Sequence, residues 1–223
     1  MATAGPLEGL SPPRAAAIAG VLFALLMGTC MIIMRLAVPP YQRDAGTWLD
    51  DPGRRNAVRV AVQLAPFAGI AFLWFIGVIR NRIGRFEDQF FATVFLGSGL
   101  LFVASLFVSA ALTGALVEVA TRDRVQVLNP DLYVFARQLI GVFANIFGIK
   151  MAGVFLMSTS TIFWRTRILP RWVSLGGFAC AVALLAAITS WPWIALVFPL
   201  WMLVLSLSIL IADLSGGWEL RRA

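Results

Sequence analysis

The stretch from Phe90 to Val117, FFATVFLGSGLLFVASLFVSAALTGALV, runs without a single charged residue. A helix rises about 1.5 Å per residue and a bilayer's hydrocarbon core is roughly 30 Å thick, so about 20 apolar residues suffice to cross it. This run exceeds that length and predicts a transmembrane helix with room to tilt.

Working outward, apolar runs at 15 to 38, 57 to 79, 132 to 163, 172 to 190 and 193 to 213 pass the same test or come close to it. Together with 90 to 117 they predict an all-α polytopic protein, a bundle of six transmembrane helices forming a single transmembrane domain over 1–223 with no soluble domain. Composition agrees: 60% of the 223 residues are hydrophobic and 13% charged, against roughly 45–50% and roughly 25% in an average globular chain. Too few polar residues remain to coat a soluble core of this size. The first run follows Pro12, Pro13 and Arg14 and continues through Met31 to Met34 with no small-residue cleavage site, so a retained helix is expected. Met27, Gly28, Thr29 and Cys30 match a lipoprotein cleavage box poorly. The short Ser190–Trp193 connection predicts an antiparallel hairpin of helices 5 and 6, and residues 39 to 56 read as a solvated outer segment. Pro66 and Pro199 should kink helices 2 and 6.

Arginine placement suggests an orientation. With the N-terminus inside, Arg14, Arg80, Arg82, Arg85, Arg165, Arg167, Arg171, Arg221 and Arg222 face the cytoplasm, against Arg43, Arg54, Arg55, Arg122 and Arg124 outside. Arg35 and Arg59, at the outer ends of helices 1 and 2, narrow the bias. The expectation is a multi-pass protein of the cell (plasma) membrane with N- and C-termini cytoplasmic. Trp164, Trp172 and Trp218 would mark the inner interface, and Trp191 and Trp193 the outer one. Anionic headgroups on the cytoplasmic side would bind Arg80, Arg82, Arg85, Arg165, Arg167 and Arg171. The net charge of +7 is distributed between apolar spans rather than over one basic face, so no nucleic acid partner is expected.

The chain has no histidine, which excludes imidazole-based haem, zinc and copper ligation and the usual activated serine or cysteine. Cys30 and Cys180 lie inside apolar runs and read as packing residues. Paired catalytic carboxylates, phosphate-cradling glycine loops and metal-ligand clusters are missing, so neither a cofactor nor a metal is expected and no residue is assigned a catalytic role. A Ser–Lys pair using Lys150 with Ser98, Ser105 or Ser109 is conceivable, but no spacing demands it.

The only lysine, Lys150, falls well inside helix 4, roughly 20 Å along the helix from Arg137 and from Arg165. A charge near mid-membrane costs about 2.5–3.5 kcal/mol on insertion scales and normally marks a partner or a water-filled cavity. Snorkelling, an anionic ligand, or an acid on another protein would each account for it. Thirteen α-helical steps put Lys150 roughly 220° around the helix from Arg137. Arg137 shares its side with Gly141, Ala144, Asn145, Gly148, Ala152 and Thr159, a small-residue stripe suited to a close helix seam, which would leave Lys150 facing lipid or an interface. On helix 3, Ser98, Ser105, Ser109 and Thr113 form one hydroxyl face, expected to pack on helix 4 and to have the hydroxyls bonded to their own helix.

The segments Thr166–Trp172 (TRILPRW), Phe198–Trp201 (FPLW) and Phe90–Leu101 (FFATVFLGSGLL) resemble a group of bacterial multi-pass membrane proteins to which no activity is assigned. The resemblance implies membrane location and an all-helical bundle, and it transfers no functional residue. On the residues themselves, two roles compete. Lys150 without an intrachain counter-charge points to a non-enzymatic subunit or accessory protein of a membrane complex, with a protein partner or homo-oligomer supplying the acid. A polar path over Lys150, Arg137, Asn145, Gln63, Ser98, Ser105 and Ser109 points instead to a small carrier or channel for an anionic solute or lipid.

Overall fold

The computed structural model describes residues 12–40, 46–83, 89–122, 130–167, 169–186 and 193–214. Among the described residues the chain folds into six helices: α1 (Pro12–Ala37), α2 (Pro52–Ile83), α3 (Gln89–Arg122), α4 (Pro130–Thr166), α5 (Arg171–Ala186) and α6 (Val197–Leu214). The protein is an all-helical integral membrane bundle. Five helices are long and apolar enough to cross a bilayer; α5 is shorter, about 24 Å at 16 residues. The last residues of the expected span 172 to 190 lie outside the described residues.

Local chemistry sets the helix ends. Asp51 caps α2: its Oδ1 accepts the Gly53 N–H at 2.8 Å and the Arg54 N–H at 3.4 Å, and Pro52 occupies the first helical position, where no N–H is needed. α4 stops where Arg167 turns left-handed (φ 50°), with its N–H returned to the Phe163 carbonyl. Pro199 does not break its helix. A 3-10 turn, Ile194–Leu196, precedes α6, so this proline falls in the first helical turn, where a missing N–H costs little.

The bundle has two ends. The near face carries the start of α1, the junction of α4 with α5 and the end of α6; there Arg14 pairs with Asp213 at 2.8 Å. The far face carries the end of α1, the start of α2 and the start of α4. α1 packs chiefly on α2 and α6, α3 lies between α2 and α4, and α5 leans on the second half of α4. The expected α5–α6 hairpin is therefore a minor contact, because each helix spends its main face on another neighbour; the connection itself lies outside the described residues. α3 packs on α4 as its hydroxyl stripe suggested.

Six phenylalanines fill the centre: Phe23, Phe72, Phe95, Phe102, Phe155 and Phe198, with ring centroids 4.6 to 6.2 Å apart in tilted, stacked and edge-on pairs. Each such pair contributes about 0.5–1.5 kcal/mol beyond the area it buries. Leu36, Trp74, Ile211 and Leu214 project outward, each at least 66% exposed, as side chains facing lipid do. Glycines let helices approach: a Cβ on Gly177 would lie 2.1 Å from Ser160 Oγ and 3.1 Å from Trp201 Nε1, at the junction of α5 with α4 and α6. Gly177→Leu is expected to lower the thermal midpoint by roughly 2 to 10 °C, from about 1–3 kcal/mol of overpacking. Thermal unfolding in lipid nanodiscs reads this directly.

The segment before α2 is not simply solvated. Its 3-10 turn, Thr47–Leu49, folds into the far end of the bundle, where Trp48 and Leu49 are 2% and 1% exposed. Trp48 Nε1 donates to Tyr133 Oη at 2.9 Å, and Gly46, at φ 80°, lies under the Tyr133 ring. Trp48 and Leu49 give the segment an apolar centre, with Asp50 and Asp51 exposed beside it. Trp48→Phe keeps the packing and loses the bond, an expected cost of about 1 kcal/mol, visible as a midpoint roughly 2–4 °C lower.

Candidate functional site

Between the far-face halves of α1, α2, α3 and α4 lies a cavity of about 640 Å³, closed at one side by the 3-10 turn before α6. Sequence explains the space. Small residues of α4, Gly141, Ala144, Gly148 and Ala152, face it together with Ala61 and Ala65 of α2, and none fills the volume between helices. The stripe expected to seal a tight seam on α4 therefore lines a void over most of its length. Phe102 and Phe198 form the floor, and the phenylalanine stack beneath them blocks passage toward the near face.

α4 is not a plain α-helix here. Residues Val142–Gly148 adopt π-helical bonding, in which each N–H reaches back five residues and one more residue fits in the turn. Thirteen residues from Arg137 to Lys150 then rotate the helix about as far as twelve α-helical steps, roughly 120° rather than roughly 220°. That difference puts Arg137 on the cavity wall and Lys150 against α5.

Arg137 of α4 and Arg35 of α1 both line the cavity, near the far-face ends of their helices. Arg137 also donates to the Pro39 carbonyl at 3.3 Å, which ties the start of α4 to the end of α1. Gln138 and Asn145 add amide groups to the wall. Ser109 and Thr113 are there too, but their hydroxyl hydrogens go to the carbonyls one turn back, Ser105 at 2.8 Å and Ser109 at 2.7 Å. They offer oxygen acceptors only. Among the described residues on the wall none is acidic, so the site combines concentrated positive charge with a largely apolar interior.

The other expected site residues are elsewhere. Ser98 and Ser105 are buried off the cavity wall, each bonded to its own helix, and Gln63 faces outward. Lys150 is off the wall as well. Its Nζ donates to the carbonyls of Leu185 at 2.6 Å and Leu184 at 3.3 Å, in the last turn of α5. These carbonyls belong to the last described turn of α5, where a cation complements the helix dipole. Backbone oxygens of its own chain are thus among its partners.

At the near face Arg80, Arg165, Arg167 and Arg171 are exposed, Arg165 over the Phe91 ring at 4.6 Å and Arg171 over Trp164 at 5.7 Å. Trp164 and Trp172 are exposed beside them, and Trp193 is exposed toward the far face. The side chains of Arg82 and Arg85, with Trp191 and Trp218, lie outside the described residues.

Arg35 was visible in the sequence only as a charge weighing against the orientation, and Cys30, also on the wall, only as packing. The signal that would have found the site is two arginines near the far ends of their helices, Arg35 in the last turn of α1 and Arg137 about two turns into α4. No protein-family model, curated protein or solved structure matches the chain.

Proposed function

We propose that this is a non-enzymatic membrane protein that binds an anionic solute or lipid in the far-face cavity, as a carrier or holding protein. One observation carries the reading: Arg35 and Arg137 both line a cavity of about 640 Å³ whose described lining includes no acidic residue. Guanidiniums on a cavity wall grip carboxylate or phosphate in forked geometry, with charge-assisted hydrogen bonds. The phenylalanine floor favours binding over an open channel. A subunit role draws on Lys150 needing a partner; the Leu184 and Leu185 carbonyls give its ammonium hydrogen-bond acceptors within the chain, which supports the binding-protein reading.

The arginine count favours a cytoplasmic near face with both termini on that side, in a plasma membrane whose anionic headgroups meet Arg80, Arg165, Arg167 and Arg171. The cavity then opens outward. Native mass spectrometry on protein released gently from its own membrane is the test. An anionic small molecule or lipid is expected on wild type and missing from Arg35→Gln/Arg137→Gln; a wild-type spectrum of bare protein would overturn the reading.

A further inference from the structure

We infer that the ligand is a single-chain acid amphiphile, its anionic head between Arg35 and Arg137 and its tail running inward along α1 and α3 to the phenylalanine floor; this rests on the anion-binding reading above. The cavity is polarised along its length. Its charged groups, Arg35 and Arg137, lie at the mouth with Gln138, whereas Met27, Met31, Leu106, Phe102 and Phe198 line an interior in which Asn145 is the one amide among the described residues. A small inorganic anion would use the mouth and leave the apolar depth empty. Fully apolar ligands would fill the depth and make no use of Arg35 and Arg137.

The length of the ligand follows from the walls. Met27 lies eight residues before Arg35 on α1, about 12 Å, and Phe102 eleven residues before Thr113 on α3, about 16 Å. Carbon–carbon bonds of about 1.5 Å advance an extended chain roughly 1.3 Å each, so the cavity accepts a tail of about nine to twelve carbons. A volume of 640 Å³ lies within the usual range for one drug-sized molecule, which favours one tail over a two-tailed lipid. Methionines at 27, 31 and 34 give the tail an adaptable wall, since unbranched thioethers fit irregular apolar shapes.

The experiment is equilibrium dialysis of radiolabelled decanoate against the full chain in phosphatidylcholine nanodiscs, with empty discs subtracted and unlabelled competitors added. Saturable binding is expected. Competition by butyrate, hexanoate, octanoate, decanoate, dodecanoate and tetradecanoate should strengthen about fourfold per added methylene and level off near twelve carbons. Decan-1-ol should compete at least tenfold more weakly than decanoate. Butyrate competing as well as decanoate would overturn the amphiphile and leave the anion site standing. Decan-1-ol competing equally, or no saturable binding above empty discs, would overturn both. Loss of decanoate binding in discs containing phosphatidylglycerol would replace the single-chain acid with a resident anionic lipid.

Discussion

Arg35→Gln/Arg137→Gln is expected to weaken decanoate binding at least a hundredfold while leaving the thermal midpoint within a few degrees of wild type. A hydrogen bond to a charged group contributes about 1.5–3 kcal/mol, and two of them together span about 3–6 kcal/mol, at 1.4 kcal/mol per tenfold. The single variants separate roles. Arg35→Gln removes a guanidinium for which the ligand is the proposed partner, so binding should fall with little loss of stability. Arg137→Gln also gives up the bond to the Pro39 carbonyl and should lose some stability as well. Arg35→Lys keeps the charge without the planar fork and should fall between. A double variant that stays folded and binds decanoate within threefold of wild type would place the head elsewhere.

Lys150→Met should destabilise the protein, and here the sign is the test. Were the ammonium an idle charge in the membrane, removing it would relieve about 2.5–3.5 kcal/mol of insertion cost and raise the midpoint. With Nζ holding the Leu184 and Leu185 carbonyls, methionine strands two acceptors in an apolar setting, at about 1–3 kcal/mol each. The expected midpoint is lower by roughly 5 to 15 °C in nanodiscs. Lys150→Arg keeps the donors and should recover part of the loss. A rise in the methionine variant would mean that the end of α5 does not need the cation.

The spans were legible because the hydrocarbon core admits long apolar helices and little else, so Phe90–Val117 and its counterparts announce themselves. Arg137 and Asn145 were legible as polar residues on one face of α4. Ser98 and Ser105 misled, because a hydroxyl on a helix face looks the same whether it lines a path or bonds the preceding turn. The partner of Lys150 was hidden for a different reason: backbone carbonyls at a helix end carry no residue label, and a search for counter-charges passes over them. The relative facing of Arg137 and Lys150 depends on the π segment at Val142–Gly148, which shifts the phase without leaving an unmistakable composition. The cavity is a property of what small residues on three helices fail to fill, and no single stretch of sequence contains that information.

The ring stack of Phe23, Phe72, Phe102, Phe155 and Phe198 has an electrical consequence. A layer of aromatic carbon without polar groups is a dielectric slab, and the membrane voltage falls mainly across such a slab and the apolar interior above it rather than across the cavity's open mouth. Moving one charge through the full drop takes about 2.3 kcal/mol per 100 mV. A molecule held at Arg35 and Arg137 sits before that drop and feels little of it, so occupancy should be nearly independent of voltage. A planar bilayer holding the protein should show no current above its baseline.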